Sequence, residues 1–126
     1  MDYATIICDL KNSARLENRQ QIQYELIETI KQANSDFADI IASPFIITLG
    51  DEWQGLLKNP EEYSEVIDFF RRKLPSIDFY CGVGIGEINI FDFELTVNQL
   101  DGPSFHKARK AINIAKRLNY SLVLIQ

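Results

Sequence analysis

The chain has 126 residues, 46% of them hydrophobic, and its 18 acidic and 13 basic side chains give a net charge of −5. That length fits one domain whose folding removes roughly two thirds of its unfolded surface from water, so neither a metal nor a disulfide is needed to hold it together. The negative charge works against non-specific attraction to nucleic acid or anionic lipid, and apolar runs no longer than a strand exclude a membrane-spanning helix.

Met1-Asp2-Tyr3 leads straight into an apolar run, with no basic n-region and no small-residue cleavage site. A secretory signal is therefore not expected, and the chain is placed in the cytoplasm. Ala4 to Cys8 reads as a strand that stops at Asp9, and Asn12 and Ser13 supply helix-start chemistry. From about Leu16 to Phe37, apolar residues recur three or four apart at Ile22, Leu26, Ile30, Ala33 and Phe37, which predicts one amphipathic helix. Residues 39–44 read as a connector ending at Pro44.

Phe45 to Leu49 and Trp53 to Leu57 are two β-forming runs joined by Gly50, Asp51 and Glu52, the pattern of a tight hairpin. Asp51 and Glu52 at its tip fit two readings, plain turn chemistry or a site for a hard cation. Trp53 reads as a packing residue, with stacking on a base as the alternative. Asn59-Pro60-Glu61-Glu62 starts a second helix whose apolar stripe is Tyr63, Val66, Ile67, Phe70 and Leu74. Arg71, Arg72 and Lys73 in its last turn complement the helix dipole.

Ile77 to Ile85 is a third β-like region, with a possible extension through Ile88 to Ile90. Its glycines at 82, 84 and 86 lack the dinucleotide-binding spacing and signal close approach to the strand, by a packed helix or by a ligand. Residues 91–100 show no period and read as a surface connection. After Asp101-Gly102-Pro103 a helix is predicted from about Ser104 to Leu118, buried along Phe105, Ala108, Ile112, Ala115 and Leu118, and Ser121 to Ile125 is a last strand. That helix carries Lys107, Arg109, Lys110, Lys116 and Arg117, a cluster that is either a solvated face or an attraction for phosphate. His106 is the only histidine, and with no cysteine nearby it reads as structural rather than as a zinc ligand. Cys8 and Cys81 lie in predicted strands without metal-ligand spacing and are expected as reduced, buried thiols.

The first six elements match a split β-α-β order, so the fold class is α+β: a ferredoxin-like antiparallel sheet with helices on one face, to which a C-terminal helix and strand are added. If the first strand lies beside the second hairpin strand, its end and the hairpin turn fall on one sheet edge and Asp9 neighbours Asp51. Two carboxylates there repel unless a cation or a shared proton compensates, so a divalent-metal site is expected at Asp9 and Asp51.

Asp9 after an apolar strand, Thr48-Leu49-Gly50-Asp51-Glu52, Gly82 to Glu87, and Gly102-Pro103 before Ala108-Arg109 together resemble the SatD family's N-terminal domain. The same landmarks are similar to class III nucleotidyl cyclase catalytic domains and, more distantly, to GGDEF domains. The resemblance covers nearly the whole chain and implies one cyclase-like domain over 1–126, a nucleotidyl-cyclase-like fold, and a metal-dependent nucleotide-binding function. It implies that Asp9 and Asp51 hold Mg²⁺ or Mn²⁺ on a nucleoside triphosphate or related phosphorylated ligand. Asn12 and Ser13, at the start of the first helix, match the segment over the phosphates, and Gly50 and Ile47 complete the implied nucleotide-binding positions.

The departures from the cyclase pattern bear on activity. Ile47 stands where cyclases place a base-reading lysine, His106 where they place a transition-state asparagine, and the arginine slot falls on Lys110 or, shifted by one, Arg109. Weak or no cyclase activity is therefore expected, with the catalytic residues unknown and Lys110, Arg109 and His106 as candidates. A homodimer is implied because many cyclases build their site between two subunits. The alternative function is a degenerate, non-catalytic sensor or regulatory module. Longer members of the resembled family continue into a helix-turn-helix region, so DNA would be reached only through a C-terminal part absent from this chain, and the abrupt end at Ile125-Gln126 fits a truncated N-terminal part. An RNA-recognition-type domain ranks last, because the first strand offers only Tyr3 as an aromatic and the charge is negative.

Overall fold

A computed structural model of the chain describes residues 1–11, 17–90, 92 and 94–126, and for Leu49 the backbone alone. The elements are β1 (Tyr3–Leu10), α1 (Arg19–Asp36), β2 (Ile41–Leu49), β3 (Glu52–Leu57), α2 (Tyr63–Lys73), β4 (Phe79–Gly86), α3 (Pro103–Leu118) and β5 (Leu122–Ile125), with 3-10 turns at Pro60–Glu62 and Val97–Gln99. The five strands form one sheet in the order β2-β3-β1-β4-β5. Every pairing is antiparallel except β4 with β5. The first four strands thus have the ferredoxin-like order, and the added helix and strand extend the sheet at its β4 edge.

Alternation along β1 divides the core. Ala4, Ile6, Cys8 and Leu10 face α1 and α2, where Leu26, Ile30, Val66, Ile67 and Phe70 close over them. Trp53 is fully buried on that side, with its ring 5.7 Å from Phe70 and 5.2 Å from Phe79, so it is a packing residue and is closed to a stacking base. The opposite face carries α3, through Ile7, Ala108 and Ile112. Helices therefore cover both faces, two on one side and the C-terminal one on the other.

This arrangement has a topological signature. β3, β4 and β5 run parallel to one another and the chain steps across the sheet in the same direction from each to the next. Since α2 and α3 lie on opposite faces, the two crossovers have opposite hands, and one of them departs from the strong right-handed preference. The chain reaches the second face through residues 87–102, whose base is closed by the bonds Ser104 N–Glu87 O (2.9 Å) and Asn89 N–Asp101 O (2.7 Å). This stretch is more than the expected surface connection: Ile88, Val97 and Leu100 form a second apolar cluster with Tyr3, Leu56 and Phe105. Residues 88–90 form no strand.

The α3 backbone rests on the glycines of β4. A Cβ at Gly82 would lie 2.3 Å from Ile112 N, and one at Gly84 would lie 2.3 Å from both Ala108 N and Ser104 O. Helix packing thus accounts for both glycines. Ser104 pins the start of α3 at the sheet centre, accepting from Thr5 N (3.1 Å), donating to Gly84 O (2.8 Å) and contacting Thr5 Oγ1 (2.8 Å). Gly102 precedes it with φ of 147°, a conformation that side-chain-bearing residues rarely adopt.

Several boundaries differ from the sequence reading. β1 continues through Asp9 to Leu10, because its pairing with β3 and β4 extends that far. The connector assigned to 39–44 belongs from Ile41 onward to β2, where register shifts on either side of Ser43 accommodate Pro44. α1 begins at Arg19, and the expected helix-start residues Asn12 and Ser13 lie outside the described residues. Arg71 does more than complement a dipole, since its Nη2 donates to Ser121 O (3.0 Å) and its guanidinium lies over Phe79. Cys8 and Cys81 are paired residues of adjacent strands, both buried and reduced, with sulfurs 3.3 Å apart; burial, and then the hydrogen bond between them, push the Cys8 thiol pKa up. Among the described residues no helix is long and apolar enough to cross a membrane.

The contact at Gly84 gives a direct test. Gly84→Ala forces backbone against backbone and is expected to cost about 3 kcal/mol by urea denaturation. Gly50→Ala, whose Cβ would meet nothing within 4 Å, is expected to stay within about 0.5 kcal/mol.

Candidate functional site

One end of the sheet gathers charge. Asp9 on β1 and Glu52 on β3 are register partners, so both project on the face covered by α3. The β2–β3 turn lies beside them, and Leu10 N donates to Asp51 O at 3.1 Å. Each carboxylate meets its own cation. Asp9 Oδ2 pairs with Lys116 Nζ, Asp51 Oδ1 with Arg19 Nη2, and Glu52 with Arg109.

The Glu52–Arg109 pair is bidentate, with Nη1–Oε1 at 2.7 Å and Nη2–Oε2 at 2.9 Å, and Thr48 Oγ1 donates to Oε2 at 2.7 Å. The Glu52 side chain is only 4% exposed, whereas that of Arg109 is 44% exposed. Burial by itself would raise the Glu52 pKa. The hydrogen bonds from Arg109 and Thr48, with the charges of Arg109 and Lys116, outweigh it and hold the carboxyl below the ordinary value of 4.5. The same bond raises the Arg109 pKa against its own partial burial, with further support from the charges of Glu52 and Asp9. Asp9, Glu52, Arg109 and Lys116 thus act as one electrostatic group.

α3 supplies two of the three cations through its periodicity. Arg109, Ile112 and Lys116 lie at i, i+3 and i+7, so they share the sheet-facing side, with Ile112 in the core and a cation at either end. Beside Arg109, a cleft of about 390 Å³ is lined by Ile7, Thr48, Glu52, Gln54, Asn98, Phe105 and His106 among others. Its lining combines the apolar Ile7 and Phe105 with amide, hydroxyl and carboxylate groups.

The expected site residues separate into two groups. Asp9, Gly50 and Asp51 lie together at this end of the sheet, and Arg109 reaches it from α3. Ile47 faces the other way, packed against the α1–α2 core. His106 sits on the cleft wall, but its Nε2 lies 3.1 Å from Asp101 Oδ1. Lys110 is exposed, and no described residue pairs with it. No group of three or more His, Cys, Asp or Glu side chains arranged to hold a metal occurs among the described residues. Lys116, Thr48 and Arg19 escaped the sequence reading as site residues. The seven-residue spacing of Arg109 and Lys116 around a core isoleucine carried the signal for one of them, and no local pattern marked Arg19.

The fold defines the class. The chain has a nucleotidyl-cyclase-like scaffold, similar to an EAL/GGDEF domain protein from M. capsulatus (TM-score 0.64, 13% identity, covering 99% of this chain and 85% of that one). It is also similar to a bacterial light-regulated adenylyl cyclase (TM-score 0.64, 11% identity, 98% and 43%) and to the guanylate cyclase domain of RhGC from Catenaria anguillulae, solved in complex with GTP (TM-score 0.56, 13% identity, 89% and 72%). Within that class, the SatD family model matches residues 3–125, and the chain belongs to the SatD family. No curated protein matches it in sequence.

The Glu52 pair predicts acid behaviour with a definite sign. A carboxyl whose folded pKa is depressed stabilises the fold above its unfolded pKa, and that contribution is lost as pH falls below about 4.5 through the lower folded value. Urea midpoints measured across that range are expected to fall more steeply for the wild type than for Glu52→Gln. At pH 7, Arg109→Ala is expected to cost about 1–2 kcal/mol, less than a fully buried pair because solvent screens the arginine.

Proposed function

We propose that this domain binds a divalent cation, Mg²⁺ or Mn²⁺, together with a nucleoside triphosphate at the rim of Asp9 and Asp51, and forms cyclic product weakly or not at all. The observation that carries this reading is the adjacency of β1 and the hairpin turn: the Leu10–Asp51 backbone bond and the Asp9–Glu52 register hold two aspartates at one end of the sheet. Two hard carboxylates without a third protein ligand suit Mg²⁺, which keeps several waters and binds through one or two carboxylates plus substrate phosphates. Among the described residues, nothing lies within 4 Å of a Cβ built at Gly50 in that turn. The GTP complex of the Catenaria domain supports a nucleotide as the ligand class.

When bound, the cation would neutralise phosphate charge and act as a Lewis acid on it. The chain's own side chains favour binding over turnover. Arg109 is held by Glu52, and His106 is directed at Asp101, so neither is a free donor for charge developing on a reacting phosphate. Of the three candidates Lys110, Arg109 and His106, Lys110 is the exposed cation left to contact phosphate. Ile47 is turned into the α1–α2 core and offers a base no hydrogen bond, so strong discrimination between bases is not expected from that position. We further propose that residues 1–126 act as one unit and that a second copy can complete the site. A purely regulatory module is the second reading, favoured by the neutralisation of both aspartates by Lys116 and Arg19.

Thermal shift with ATP or GTP plus Mn²⁺ tests the proposal. A rise in melting temperature is expected for both nucleotides, lost in Asp9→Asn and Asp51→Asn, with affinities within about tenfold of each other. Chromatography of the incubated nucleotides is expected to show no cyclic product, because losing one transition-state donor typically costs on the order of 10² to 10³ in rate. Absence of any metal-dependent shift would favour the regulatory reading, and robust cyclic product that disappears in Asp51→Asn would overturn the inactive one.

A further inference from the structure

We propose that Lys116 is a built-in counter-ion that competes with the divalent cation for Asp9, so that metal enters the rim only by releasing the lysine. This rests on the metal reading above and concerns how that site is controlled.

Among the described residues, the paired charges at the rim balance one for one. Asp9, Asp51 and Glu52 carry three negative charges, and Lys116, Arg19 and Arg109 each meet one of them. A divalent cation added to this arrangement would leave an excess of two positive charges beside partly buried groups, which is costly where water screens poorly. Release of a cation to solvent offsets part of that excess.

The three pairs differ in how readily they open. Arg109 is forked onto a carboxylate that is nearly sealed from water and is also bonded by Thr48, so breaking it would strand a buried charge. Lys116 offers a compact ammonium on a flexible four-carbon stem in the last turn of α3, with 40% of its side chain exposed against 16% for Asp9. It can swing into water without leaving a buried partner behind except the carboxylate that the metal would take. Arg19 stands over Asp51 in a similar way. Glu52 and Arg109 therefore form the fixed strut of the site, and Lys116 the movable latch. Among the described residues, Asp9 faces Lys116 and Arg109 from α3, Glu52 from β3 and Tyr80 from β4, and removing Lys116 leaves the strut intact.

Mn²⁺ titration of the full chain by calorimetry, at low ionic strength and without nucleotide, tests the latch. Lys116→Met is expected to bind Mn²⁺ about fivefold more tightly than wild type, the scale of a partly exposed ion pair. Lys116→Arg should stay within about twofold of wild type, Asp9→Asn should lose binding, and the gain in Lys116→Met should shrink as salt is added. Lys116→Gln serves in its place should the methionine variant fold poorly by circular dichroism. Wild-type binding that depends on Asp9, with Lys116→Met no tighter, would overturn the latch and leave the metal reading standing. A gain shared by Lys116→Arg would also overturn it, since the charge would be unchanged. No Mn²⁺ binding in any form would overturn both.

Discussion

The contact on which the rest depends is the seating of α3 against Gly82 and Gly84. With backbone atoms of the helix only 2.3 Å from where those Cβ atoms would be, no side chain separates helix from sheet, and the register of α3 along β4 is fixed by shape. That register places Arg109 beside Glu52 and Lys116 beside Asp9. Two missing methyl groups in one strand thus determine which cations stand over the carboxylates of two others. The Ser104 hydroxyl, bonded to β1 and β4 together, fixes the same helix at its other end.

The electrostatics of the rim follow from placing acids where an apolar sheet ends. Glu52 is flanked in sequence by Trp53, which is buried on the opposite face, so its own carboxylate is driven inward on the α3 side and needs a partner there. Arg109 provides one in the geometry that a guanidinium favours. Asp9 and Asp51 lie nearer solvent, where they pair with Lys116 and Arg19. A single cluster therefore contains one ion pair on a nearly sealed carboxylate and two on more exposed ones. That distinction is what allows one end of the sheet to be both a stable part of the fold and a candidate ligand site.

Much of this was legible in the sequence because it rests on local patterns. The β-rich run before Asp9, the hairpin around Gly50-Asp51 and the three helical stripes gave the ferredoxin-like order, and the alternate glycines signalled a close approach to β4. The face of α3 was not legible. Nothing in the spacing of Phe105, Ala108 and Ile112 says which side of the sheet they meet, and the opposite hands of the two crossovers run against the usual expectation. Pro44 misled the reading of β2, since a proline demotes a strand unless a bulge absorbs it. Ile47 illustrates a further limit. It aligns with a base-reading position in the resembled cyclases, yet its side chain packs on the core side of β2, a matter of pleat and bulge rather than of sequence order. The pairing of Asp9 with Lys116 and of Asp51 with Arg19 joins distant parts of the chain, and only the folded topology reveals it.

The position of α3 has a consequence for how the molecule is made. The bonds that seat it on β1 span 99 residues, and the Glu52–Arg109 pair spans 57. Such contacts carry a high loop-closure cost and form late. As the chain leaves the ribosome, β1 to α2 emerge with their carboxylates before the helix that balances them. The sheet formed before α3 lacks the cations of Asp9 and Glu52, although Arg19 of α1 is already present for Asp51, and one face of β1 and β4 is uncovered. Docking of α3 both covers that face and neutralises Asp9 and Glu52, so closing the sheet and balancing these two carboxylates are one event.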